Sequence, residues 1–160
     1  MTTFTLVHVL LSLVGIGSGL LVLGGMLAGR RLSGWTELFL ATTIATSVTG
    51  FGFPFERVLP SHVVGVISLV ALAVAIVALY FRRLAGRWRT VYVVMAVAAL
   101  YFNVFVLIAQ AFLKVAAFRE AAPTQIEAPF AITQLVNLAI FVVLGVLALR
   151  RFRDESQLPT

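Results

Sequence analysis

Five long apolar stretches alternate with short polar breaks, most of them rich in arginine, along the 160 residues of the chain. The stretches run over about residues 4–28, 35–53, 61–81, 90–114 and 128–149. A helix rises 1.5 Å per residue, so about 20 apolar residues cross a hydrocarbon layer of roughly 30 Å. The fourth stretch is the most informative, because 24 uncharged residues lie between Arg89 and Lys114. Tyr92, Ala96, Ala99, Asn103, Leu107, Gln110 and Lys114 fall within about 40° of Asn103 on a helical wheel. Hydrocarbon cannot satisfy two amides and an ammonium, so this line is expected to face other helices. The pattern predicts an all-α integral membrane bundle of five transmembrane helices, a single domain over residues 1–160. Short loops favour antiparallel packing of successive spans.

The other stretches differ in character. The first is crowded with glycine, and Gly15/Gly19 and Gly25/Gly29 are GxxxG pairs that let another backbone come close. His8, Ser12, Gly15 and Gly19 share one of its faces. The second carries Thr36, Thr42, Thr43, Thr46, Ser47 and Thr49 before Gly50, Gly52 and Pro54 break it. The third opens at Pro60-Ser61, with Ser61 as the expected N-cap and His62 in the first turn. The fifth holds Thr133, Gln134 and Asn137 in its first half. The N-terminal run has no basic lead-in and is too long for a signal-peptide core, so it reads as a retained helix. No internal repeat or low-complexity segment is seen.

Composition strengthens the membrane assignment: 11% of residues are charged, against about 25% in a soluble domain. The bilayer is therefore the principal partner. A net charge of +6 would suggest nucleic acid only if the charge were gathered into one binding surface. Instead it sits at the ends of the stretches. The first and third loops and the C-terminal tail hold nine of the twelve basic residues, leaving Arg57, Lys114 and Arg119 for the second and fourth loops. The positive-inside rule then predicts the N-terminus outside and the C-terminus in the cytoplasm. Eleven arginines against one lysine fit a GC-rich bacterial genome, and the expected location is the bacterial cytoplasmic (inner) membrane, crossed several times. No cysteine is present, which excludes disulfides and thiolate metal sites.

This orientation gathers the polar groups. His8, Thr46, His62, Asn103, Gln110, Lys114, Gln134 and Asn137 all fall in the outer or central part of their stretches. The inner half is apolar apart from Glu37, Thr42, Thr43 and Tyr92. An outward-facing polar pocket is expected, lined by those eight residues. They could instead bond one another between helices. Lys114 could snorkel to the interface, pair with Glu127 or Glu120, or meet an anionic headgroup.

There is no HExxH, GxSxG or phosphate loop, and no pair of carboxylates within a stretch. The expected function is thus non-enzymatic: binding of a lipid, a quinone or another small amphipathic molecule. One alternative is a small transporter or oligomeric channel subunit, with a homo-oligomer or membrane partner subunit implied. A pore through each subunit would need a polar path through both halves. The other alternative is a b-type haem held between His8 and His62, since imidazole is a common axial ligand. No other cofactor and no metal are expected.

The run Thr46-Ser47-Val48-Thr49-Gly50-Phe51-Gly52-Phe53-Pro54-Phe55, followed by His62-Val63-Val64-Gly65, resembles short bacterial multi-pass inner-membrane proteins with no assigned activity. That resemblance implies location and topology only, and no functional residue is carried over from it.

Overall fold

The computed structural model describes residues 2–53 and 60–152, with the backbone alone for residues 60–62. Arg57, Arg153 and the side chains of Ser61 and His62 lie outside the described residues. Among the described residues all regular structure is helical: α1 (Thr3–Leu27), α2 (Ser33–Gly50), α3 (Pro60–Ile76), α4 (Arg87–Lys114), α5 (Ala116–Ala121) and α6 (Ala128–Arg151). A π-helical turn, Val77–Phe81, extends α3. Four helical segments are long and apolar enough to cross a membrane: α1, Val63–Phe81, α4 and α6. The hydropathy pattern gave five stretches. The second one forms α2, which begins and ends a few residues earlier than expected and is diluted by its hydroxyls. The short α5 was not anticipated.

A tight helical hairpin joins α1 to α2. Gly29, at φ +73°, takes the left-handed conformation that ends α1. The Gly29 amide donates to the Met26 carbonyl and the Arg30 amide to that of Gly25, the paired bonds of a Schellman cap. Cross-contacts then run antiparallel along both helices. A Cβ at Gly25 would lie 2.8 Å from Leu32 Cγ, one at Gly19 2.8 Å from Phe39 Cε2, and one at Gly15 3.3 Å from the hydroxyls of Thr42 and Thr43. Further along, His8 meets Thr49 and Phe4 approaches Gly52. The glycines and the small hydroxylated residues are complementary: one helix gives up side-chain volume and the other fills the space with short groups. Thr42 and Thr49 return their protons to the carbonyls of Leu38 and Ala45 one turn back, so α2 needs no outside acceptor for them.

The long helix α4 touches α1, α3 and α6. It is antiparallel to α6, with Val97 near Gly145 and Tyr101 against Phe141. The close-packed core lies at the arginine-rich end of the bundle. Met26, Phe39, Leu72, Ala75, Ala78, Tyr92, Val93, Ala96, Ala99, Leu100 and Ala148 are all buried there. The Arg89 guanidinium donates to the Phe152 carbonyl and so ties the start of α4 to the end of α6. Beyond the π turn, Arg83 and Leu84 both have positive φ, and the Leu84 side chain is buried in the same core. The anchoring of Leu84 accounts for a backbone conformation that branched side chains disfavour.

The faces of α1 can be tested by substitution. A Cβ at Gly19 would come within 2.6 Å of Leu100 Cδ1, a Cβ at Gly17 meets nothing within 4 Å, and Leu20 is half exposed. Gly19→Leu is expected to destabilise by about 1–3 kcal/mol or more, the usual range for overpacking. Gly17→Ala and Leu20→Phe should be tolerated. Thermal unfolding of the three variants in one detergent checks the order, and equal midpoints would remove the proposed close contact.

Candidate functional site

At the arginine-poor end the helices part. A cavity of about 510 Å³ opens among α1, α2, α3, α4 and the segment that follows α2. Its polar lining comprises Thr5, His8, Ser12, Thr46, Ser47, Ser68, Asn103, Gln110 and Lys114. The rest is mostly apolar, including Val9, Leu13, Ile16, Phe51, Phe53, Val64, Phe102, Val106 and Leu107. No aspartate or glutamate is among the described residues that line it.

Its floor is set by Gly15. A Cβ there would sit 3.3 Å from both threonine hydroxyls and 3.6 Å from Asn103 Nδ2. The absent side chain lets Asn103 reach across α1 and donate from Nδ2 to Thr43 Oγ1 at 3.1 Å. Above that bond the α4 line continues through Leu107 and Gln110 to Lys114, all of which line the cavity.

His8 is fixed by a chain of bonds. Its Nδ1 lies 2.8 Å from Thr49 Oγ1, and the Thr49 hydroxyl donates to the Ala45 carbonyl at 2.7 Å. With that proton committed, the hydroxyl oxygen accepts from Nδ1–H. The neutral ring then carries its lone pair on Nε2. Phe53 packs edge-on against the ring, with centroids 5.0 Å apart. One turn along, the Ser12 hydroxyl donates to the His8 carbonyl.

Among the described lining residues, two hydroxyl oxygens are buried without a partner: Ser68 Oγ, in a residue only 2% exposed, and Thr46 Oγ1. A buried polar group without a hydrogen bond costs about 1–3 kcal/mol by mutational measure, and more where no water reaches.

Of the eight residues singled out from the sequence, the cavity brings together His8, Thr46, Asn103, Gln110 and Lys114. Gln134 and Asn137 are not among its lining. Gln134 donates from Nε2 to the Phe105 carbonyl on another face of α4, and leaves its Oε1 unpaired. Asn137 is buried on α6 with Nδ2 unpaired. The side chain of His62 lies outside the described residues, and with it the pairing of His8 and His62 around a haem. Glu127 spends its carboxylate locally, accepting from the Thr124 hydroxyl and amide and the Ile126 amide, rather than serving as an evident clasp for Lys114. The bonds from Thr124 hold its carboxyl below the usual carboxylate value. Sequence reasoning passed over Ser68, a lone hydroxyl in the apolar part of the third stretch. It also passed over Gln125, which donates from Nε2 to the Ala109 carbonyl and pins the α5–α6 loop to α4.

Comparisons with protein-family models, with curated proteins and with solved structures return no match. The geometry of the cavity therefore carries the functional reading by itself.

Two outcomes follow. Neutral His8 is expected as the Nδ1–H tautomer, read from ¹⁵N shifts of the labelled ring, and Thr49→Val should return it toward the ordinary Nε2–H form. A parent ring already in the Nε2–H form would break the Thr49 relay. Asn137→Leu is expected to hold or raise thermal stability, by up to about 1 kcal/mol, because it removes an unpaired buried donor. A marked loss would show that Asn137 has a partner.

Proposed function

We propose that this chain crosses a bacterial inner membrane five times, with its N-terminus outside, and binds a small amphipathic molecule in the cavity without transforming it. The fifth crossing is α2. Its 18 residues give a helix of about 27 Å, and it lies beside α1 from Gly25 to Phe4. A helix that accompanies a membrane-spanning neighbour over nearly its whole length shares that neighbour's depth. Its hydroxyls are tolerable there because they bond back to α2 itself or face α1 and α4. The orientation rests on the arginines at one end of the bundle.

The observation that carries the binding reading is a cavity of about 510 Å³ that brings His8, Gln110 and Lys114 together in an otherwise mostly apolar lining. Small-molecule sites are commonly apolar hollows of about 300–1,000 Å³ with a few convergent polar groups. This cavity fits that description. A ligand headgroup bonds to His8, Gln110 and Lys114, and its tail lies along Val9, Phe102 and Val106. The close-packed core at the other end argues against a conduit through a single subunit.

Topology is tested with single cysteines, which the cysteine-free chain makes clean. Arg57→Cys should react with an impermeant thiol reagent from outside, while Arg30→Cys, Arg83→Cys and Arg151→Cys should not. Labelling of position 83 from the periplasm would sink the five-span arrangement. Binding is tested by native mass spectrometry of protein extracted from its membrane. One retained amphiphile is expected in the parent, and it should be lost in Val106→Phe, which fills the cavity. A parent that retains none, or a variant that retains it equally, counts against the reading.

A further inference from the structure

The geometry points to the occupant as an anionic lipid with a hydroxyl-bearing phosphate headgroup, taken sideways from the bilayer through a gap between α1 and α4. This rests on the cavity being a binding site for an amphiphile, and three observations narrow that amphiphile.

The first is charge. Lys114 lines the cavity, and no acidic side chain does so among the described residues. The carboxylate of Glu127 is engaged locally by Thr124 and Ile126. An ammonium at the end of a hydrophobic helix, facing a hollow without a counter-charge, favours an anion there. Phosphate oxygens accept a charge-assisted hydrogen bond well.

The second is the hydrogen-bond sense of the inner wall. His8 donates through Nδ1 to Thr49, so Nε2 offers only a lone pair. The proton of Ser12 is spent on the His8 carbonyl, so its oxygen is likewise an acceptor. A bare anion would bring only acceptors to this wall. A headgroup with hydroxyls can donate to Nε2 of His8 while its phosphate sits at Lys114 and Gln110. Phosphatidylglycerol has this combination; phosphatidylcholine has neither the net negative charge nor the hydroxyl.

The third is the route. Leu13 of α1 and Leu107 of α4 both line the cavity, yet they are 49% and 42% exposed. No residue of α6 lines it. Leu13 lies ten residues along α1 and Leu107 seven residues short of Lys114, so the gap sits about 10–15 Å from those helix ends. That depth is within hydrocarbon. An acyl chain can pass there and a hydrated ion cannot, so this route delivers a molecule from the bilayer.

The experiment reconstitutes the full-length chain in nanodiscs of equal phosphatidylglycerol and phosphatidylcholine, and reads the lipid retained after release by native mass spectrometry. Phosphatidylglycerol is expected to be retained in preference by about tenfold, the scale of one charge-assisted hydrogen bond. Lys114→Gln should erase the preference and His8→Phe should reduce it, both with parental thermal stability. The arginine-rich end also attracts anionic lipid, so a preference that survives Lys114→Gln belongs to that end and overturns the inference. Retention of phosphatidylcholine at the same level, lost in Val106→Phe, overturns the anionic assignment but leaves the cavity as an amphiphile site. Retention of neither lipid in a Val106-dependent way removes the cavity reading itself. Displacement of bound lipid by millimolar glycerol 3-phosphate would overturn entry from the bilayer.

Discussion

The meeting of three helices at Gly15 is the contact on which the rest of the bundle depends. A missing side chain on α1 admits Thr42 and Thr43 from α2 and Asn103 from α4 to one point. Toward the arginine-rich end, Gly19 and Gly25 keep the same close approach, and the helices pack without a gap around Phe39, Leu100 and Tyr92. In the other direction no further glycine on that face of α1 holds α4 close. His8 and Ser12 stand there instead, and both line the cavity. The floor of the cavity is thus a packing event, and its polarity follows from the side chains that replace glycine above it.

A membrane interior makes this division sharp. In water, a threonine-rich helix such as α2 could satisfy its hydroxyls by solvation. In hydrocarbon, where the proposed five-span arrangement puts α2, the bonds must be internal. Thr42 and Thr49 use their own helix, Thr43 is met by Asn103, and Thr49 additionally receives His8. These solutions are local and cheap in volume, which is why a helix with so many hydroxyls can sit at the centre. Thr46 is the exception on α2, since neighbouring hydroxyls show that back-bonding was available there.

Much of the architecture was legible in the chain. Stretch lengths gave the helices, and the wheel position of Asn103, Gln110 and Lys114 gave a common face that does line one cavity. Spacing of glycines gave the close side of α1. What failed to read through was the identity of neighbours. Gln134 and Asn137 were rightly placed on α6, but periodicity fixes a face relative to its own helix and says nothing of which face of α4 it meets. Gln134 therefore landed on the Phe105 carbonyl instead of opposite Gln110. The π turn after Ile76 was equally invisible, because Val77–Phe81 continues the apolar pattern of the residues before it. Ser68 was visible, but its meaning depends on a void, and voids are properties of three dimensions.

The two ends of the bundle also differ in what substitution can do. At the arginine-rich end, packing and the Arg89 link to Phe152 couple α4 to α6, so a change there is felt as stability. At the cavity end, His8, Gln110 and Lys114 face open volume, and their removal leaves few packed neighbours without contact. A side chain at such a place has little structural work, and the energetic cost of keeping polar groups in hydrocarbon still has to be offset by something. For His8 part of the offset is Thr49, which uses only one of the two ring nitrogens. The unspent valences on residues that line the hollow are Nε2 of His8 and the ammonium of Lys114. In the proposed binding role, a molecule that enters the hollow with matching groups satisfies both at once.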